Sequence, residues 1–302
     1  MSVFKLSAGV FRPLILYFII VFSLFASQQA FSIELSLDTE LTRHTNLNRA
    51  GYSGDRRNDT SLLLDIGTTY QPALQTPGLL YLSANVSARV YDKYSSLNQR
   101  ELQLGVHYHQ RMGLGPDVPW WQASALYHFT DVNDSQRDNH GWLMSLTLGK
   151  ALTSNLDGLI WVSADSQKGR GDQKSAMSKA LQGSKVYDLS SWQLGGELTY
   201  WFTDQLSGSL NLSYRDGDIV STSSKQSPMG KPWLMDPVFG MGSYRSGAEI
   251  YDARLNLFYS LSERALLSLG YQHINAKTDL PDTYMYRSYR SSNTVLGFHY
   301  VF

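Results

Sequence analysis

Along most of the chain, apolar and polar residues alternate with a period of two. That spacing puts successive side chains on opposite faces of a β-strand. The last nine residues show it cleanly: Leu296, Phe298, Tyr300 and Phe302 share one face, and Val295, Gly297, His299 and Val301 the other. The first such segment spans 33–43, where Ile33, Leu35, Leu37 and Leu41 oppose Glu34, Ser36, Asp38 and Glu40. Between these ends the pattern recurs at 60–70, 79–92, 101–111, 120–130, 141–152, 156–166, 189–202, 206–215, 250–261 and 265–275. The alternation predicts an all-β chain of about twelve strands, with ten or fourteen as alternatives.

The breaks between segments alternate in length. Residues 75–78, 113–119, 153–155, 203–205 and 262–264 form short turns, whereas 44–58, 93–99, 131–140, 167–188, 216–248 and 276–288 form long loops. A soluble β-sandwich has no reason to segregate its loops this way. A closed antiparallel transmembrane β-barrel has one, because its turns lie on one side of the membrane and its loops on the other. Closure is also the only way a chain without a long apolar helix satisfies its backbone in lipid. Aromatics gather at strand ends, at Tyr70, Trp120, Trp121, Trp142, Tyr200, Trp201, Phe202 and Phe302, as interfacial girdles do.

With its aromatic finish, the terminal strand resembles the closing strand of bacterial outer-membrane β-barrels. The resemblance implies that Phe298, Tyr300 and Phe302 form the signal read by the barrel-insertion machinery. It also implies a Gram-negative outer membrane, periplasmic termini, and outer-membrane lipid and lipopolysaccharide as surroundings. It identifies a superfamily and no specific family within it. His44-Thr-Asn-Leu-Asn-Arg49 faintly resembles the first loop of several large barrel families, among them surface lipoprotein assembly modifiers. Their barrel follows a helical-repeat domain of which this sequence has no trace.

The N-terminus changes the picture of the precursor. Lys5 and Arg12 precede an apolar run from Leu14 to Ala26, about thirteen residues and too short for a spanning helix. With small residues at Ala30 and Ser32, residues 1–32 read as a signal peptide and 33–302 as the barrel domain. Charged residues make up only 17% and aromatics 13%, which excludes a disordered chain. The 26 basic and 26 acidic residues balance, which argues against nucleic acid as a partner. There is no cysteine, and no cofactor motif appears.

The strand phase assigns a lumen. Glu34, Asp38, Glu40 and Asp65 form an acidic wall on the first two strands. Arg89 and Arg111 follow on the third and fourth strands, and Arg215 and Arg254 on the ninth and tenth. Walls of opposite charge select solutes in pores, so small polar solutes are the expected partners. The competing reading is that these groups neutralise one another inside a plugged barrel. Metal is not expected: the predicted register sets His128 opposite Gln103, on the order of 13 Å along the strand from His107 and His109. No catalytic residue is predicted. The nearest pattern, His128-Phe-Thr130 with Asn139, resembles the His-x-Ser and Asn of outer-membrane phospholipases, but it has Thr for Ser and an inward phase.

Two long loops stand out. The 167–188 loop carries an excess of basic residues suited to lipopolysaccharide phosphates. The 216–248 loop is unusually apolar; Trp233, Met235 and Phe239 are expected to shelter at the mouth as a gate or plug. Together these features predict a monomeric, narrow, porin-like channel. The alternatives are a non-conducting surface-binding or envelope-assembly barrel and, further off, a lipid-modifying enzyme.

Overall fold

The computed structural model describes residues 32–73, 77–115, 117–170, 185–224, 231–281 and 287–302. The expected signal peptide therefore lies outside the described residues, apart from Ser32. So does the centre of the basic loop, 171–184.

One antiparallel sheet holds β1 (Ser32–His44), β2 (Asp59–Gln71), β3 (Leu79–Tyr91), β4 (Gln99–Arg111), β5 (Trp120–Val132), β6 (Asn139–Thr153), β7 (Leu156–Gly169), β8 (Leu189–Trp201), β9 (Leu206–Ser223), β10 (Trp233–Asp236), β11 (Met241–Ser262), β12 (Ala265–Thr278) and β13 (Ser288–Val301). β13 pairs with β1 from Ser36↔Val301 to His44↔Asn293, and β9 pairs directly with β11. The four-residue β10 pairs only with the end of β11. The ring is therefore a closed barrel of twelve strands, the count the alternation predicts, and closure leaves no free sheet edge in lipid.

Burial is inverted relative to a water-soluble protein. Leu102, Leu104 and Val106 of β4, Met144, Leu146 and Leu148 of β6, and Leu255 and Leu257 of β11 are all exposed on the outer wall. Their in-register neighbours point inward and are polar, such as Gln103, Ser145 and Asn256. In water an apolar belt of this extent would drive aggregation; in a bilayer it is the solvated face. Leu296 and Phe302 belong to that belt, and the Phe302 N–H donates to the Leu35 carbonyl at 3.0 Å. A column of rings runs down the strand: Phe298 and Tyr300 lie nearly parallel with centroids 6.5 Å apart, and Phe302 meets Tyr300 edge-on at 4.9 Å.

Deleting Phe302 removes both the last closing hydrogen bond and the ring that ends this column. We expect the deletion to lower the yield of inserted, heat-modifiable protein sharply and to leave aggregate in the periplasm. Normal yield on an unheated gel would show that the terminal aromatic does not direct assembly.

Two expectations need correction. Most of 216–248 is strand and not loop: β9 continues to Ser223 and β11 begins at Met241, with unbroken pairing from Tyr259↔Leu206 to Gly242↔Ser223. Trp120 does not join a lipid-facing girdle. It shares the inward phase of Gln122 and Ser124, packs at a tilt against His109 with centroids 5.1 Å apart, and fills the space over Gly149. A Cβ on Gly149 would lie 2.3 Å from the Trp120 ring, and one on Gly195 would lie 2.2 Å from Trp161. These two tryptophans narrow the lumen, each seated where the facing strand has no side chain.

Candidate functional site: the lumen and its covered mouth

Asp38 and Glu40 of β1 and Asp65 of β2 stand on the inward phase of their strands, and each finds a different environment. Glu40 meets Arg89 at 3.4 Å and accepts the Thr42 hydroxyl; Arg89 also donates to Ser61 at 3.2 Å. Asp38 lies 2.6 Å from the His299 ring of β13. Asp65 keeps a buried oxygen without a partner among the described residues. Glu34, at the start of β1, is exposed. The acids are not confined to one wall: Glu101, Asp165, Glu197 and Asp252 face inward from β4, β7, β8 and β11.

The arginines divide three ways. Arg215 donates to the Ser191 hydroxyl at 2.7 Å, and that hydroxyl donates to Asp165, so this guanidinium is tied into a chain across three strands. Arg111 ends β4 and donates to the Gly115 carbonyl at 2.7 Å, bracing the turn below. Arg254 is exposed, level with Asn211 and Gln272, and has no ion-pair partner among the described residues.

At the opposite end from the chain termini, the upper parts of β9 and β11 leave the wall. Met241, Gly242, Ser243 and Tyr244 are consecutive and all buried, so both faces of the strand are covered. On one face Ile219, Ala248 and Ile250 pack with Ala276 of β12 and Tyr289 of β13. On the other, Leu234 packs with Val186, Tyr187 and Val220. The extension crosses the mouth and reaches the far side. Asp236, wholly buried, accepts hydrogen bonds from Arg137 in the β5–β6 loop and from the Ser243 hydroxyl at 2.7 Å. Phe239 packs edge-on against Tyr94 of the β3–β4 loop at 5.1 Å. Arg137 also binds Asp134 at 3.2 Å and lies over the rings of Tyr187 and Phe239, at 5.2 and 5.6 Å. The β1–β2 loop adds a brace, in which Asn48 bonds Thr222 and Asp55 accepts from Ser224.

Of the three predicted gate residues, Trp233 and Phe239 are partly buried, whereas Met235 is 60% exposed. The strand period explains the difference: in β10, Leu234 and Asp236 point to the covered side, which turns Met235 outward. Arg137, the centre of the contact, carries no signal in the sequence.

Beneath the extension lies a cavity of about 500 Å³. Glu101, His128, Thr130, Asn139 and Gln167 line it from the barrel wall, and Arg49, Thr222, Phe239 and Ser243 from the cap. Arg49 adopts a left-handed backbone, φ 51°, where the β1–β2 loop turns over the mouth. His128, Thr130 and Asn139 thus meet around one space, but the Thr130 hydroxyl donates to Glu101 at 2.9 Å. The predicted register holds: His128 faces Gln103, and His107 instead bridges Ser83 and Ser124 at 3.0 and 2.9 Å.

No family model matches the chain, and no curated protein matches it in sequence. Among solved structures, an outer-membrane channel from Pseudomonas putida F1 superposes with a TM-score of 0.56 at 11% identity, over 91% of this chain and 98% of that one. The KdgM porin, solved in complex with disordered oligogalacturonate, gives 0.48 at 12% identity over 88% and 98%. The NanC porin gives 0.48 at 10% over 87% and 98%. The closed ring of strands and the apolar outer belt give this chain the fold of the Pseudomonas outer-membrane channel, a closed antiparallel β-barrel with its apolar face outward.

Proposed function

We propose that the chain is a narrow, porin-like channel for small polar solutes, with its extracellular mouth covered by the β9–β11 extension. On this reading residues 1–32 are a signal peptide removed on export, and the mature barrel works as a monomer. The observation that carries the proposal is the polar, charged interior of a closed barrel whose outer face is apolar. The exposed Lys168 and Lys185, flanking the basic loop, support a contact with lipopolysaccharide phosphates outside.

Single-channel recording in planar bilayers tests the proposal. Inward carboxylates outnumber arginines, so weak cation selectivity is expected. Arg254→Gln removes the one lumen arginine that is exposed and unpaired among the described residues, so the reversal potential should move further toward cations. Arg215→Gln should do less for selectivity and more to the fold, because it unties Ser191 and Asp165. An unchanged reversal potential in Arg254→Gln would take that residue off the conduction path. A well-inserted protein that stays silent even without its cap would exchange the channel reading for a surface-binding barrel.

A further inference from the structure

The outward row of β6 carries one anomaly. Met144, Leu146, Leu148 and Leu152 face lipid, and Lys150 stands between the last two of them. Lys150 is exposed and has no hydrogen-bond or ion-pair partner among the described residues. Its cross-strand neighbour on β7 is Gly158, which has no side chain to offer. Asp157, beside that glycine, has the opposite phase and accepts the Trp201 indole N–H at 3.1 Å. A charge on the lipid face of a barrel is unfavourable unless it finds a partner at the interface. Lys150 lies close to the short β6–β7 turn, on the side of the chain termini, so its stem can carry the ammonium to the headgroups of the periplasmic leaflet.

Next to Lys150 the outer wall is hollow. A groove of about 500 Å³ crosses β6 to β9, lined by Lys150 and by Leu148, Ile160, Leu198 and Leu212, whose side chains are all exposed. It exists because Gly158 and Gly196 take the outward phase on adjacent strands. Gly158 pairs with Leu198, and Gly196 with Ile160 and Leu212. Neither glycine has a left-handed backbone, so no turn calls for it. Gly158 is partly roofed, since an added Cβ would lie 3.0 Å from Leu152. Gly196 is open: an added Cβ would find its nearest neighbours at 3.4 and 3.7 Å, ordinary contact distances.

An apolar groove in the lipid belt that ends on one unpaired cation matches a molecule with an apolar chain and an anionic head. We infer that the groove seats one acyl chain of an anionic glycerophospholipid of the periplasmic leaflet, with the lipid phosphate on Lys150. A zwitterionic head fits less well, because the flanking outward residues Leu148, Leu152 and Leu198 offer no carboxylate for its ammonium. The site belongs to the outer wall and holds whether or not the lumen conducts.

Native mass spectrometry of the full mature barrel tests this, after the protein is stripped of lipid in detergent and titrated with phosphatidylglycerol or phosphatidylethanolamine. The first phosphatidylglycerol should bind several-fold more tightly than the second, and several-fold more tightly than phosphatidylethanolamine. Lys150→Gln should erase the preference between the two lipids and leave weak binding of both. Gly196→Leu should fill the groove and weaken both several-fold. Gly196→Ala, a smaller filling, takes its place if the leucine variant loses normal heat-modifiability. Phosphatidylglycerol affinity unchanged in Lys150→Gln, or unchanged in the filled variant, overturns the assignment. So does a smooth series of adducts with no distinct first one, the mark of annular lipid only. A dimer that Gly196→Leu dissociates would give the groove to a second copy of the chain and overturn it as well. Tight binding of one lipid by a barrel that stays silent in planar bilayers would remove the channel reading alone.

Discussion

Excising residues 226–241 is expected to raise single-channel conductance several-fold while the barrel still inserts. The register makes this deletion unusually clean. Ser223 pairs with Gly242, so the cut leaves only Ser224 and Lys225 between two paired residues. A two-residue link is the commonest hairpin connection, and the favoured I′ turn asks for Asn-Gly. A second version carrying Asn-Gly at 224–225 therefore guards against a poor turn. The excised segment contains Leu234, Asp236 and Phe239, and with them the contacts to Tyr187, Arg137 and Tyr94. None of the twelve wall strands loses a barrel-spanning pair. If conductance is unchanged at normal heat-modifiability, the constriction lies lower, where Trp120 and Trp161 fill the lumen over Gly149 and Gly195.

The sequence made the wall readable because lipid imposes one rule on every strand. Leu102, Leu104 and Val106 must be apolar outside, while Gln103 and Gly105 have no such demand inside, so the period of two survives. The cap obeys no such rule. Ser221, Thr222, Ser243 and Ser246 are all buried, so small polar residues stand on both faces and alternation disappears. That is why residues 216–248 read as a loop and why β10 carries no strand signal in the sequence. Strand phase also shows which acids face inward but not which cations they reach. Glu40 on β1 finds Arg89 on β3, a contact that skips a strand and depends on tilt and side-chain length. Arg137 and Asp236 are 99 residues apart, and nothing local marks either as half of a pair.

That pair sets the second large effect. Asp236→Ala is expected to raise the open probability strongly without removing the cap. Asp236 is fully buried and accepts from Arg137, from the Ser243 hydroxyl and from the Val238 N–H at 2.9 Å. Burial alone would lower the pKa of the Arg137 guanidinium, but Tyr187, Asp236 and Asp134 outweigh it, so the cation is held by its neighbours. Removing one partner of a buried ion pair typically costs about 3–5 kcal/mol, because the other charge is left buried. Each 1.4 kcal/mol is about tenfold in an equilibrium, so if the closed state alone bears this cost, closed-to-open populations shift by roughly 10²–10⁴. Arg137→Met should act in the same direction. The double variant Arg137→Met, Asp236→Leu replaces the pair with apolar volume, a change often neutral or stabilising in buried pairs, and should close the channel again. That non-additivity is the signature of a latch. Open singles with an equally open double would mean that the charges themselves hold the cap. If every variant stayed as closed as the parent, the closing force would lie with the Asn48 and Asp55 brace to Thr222 and Ser224, and the Arg137–Asp236 pair would not be the latch.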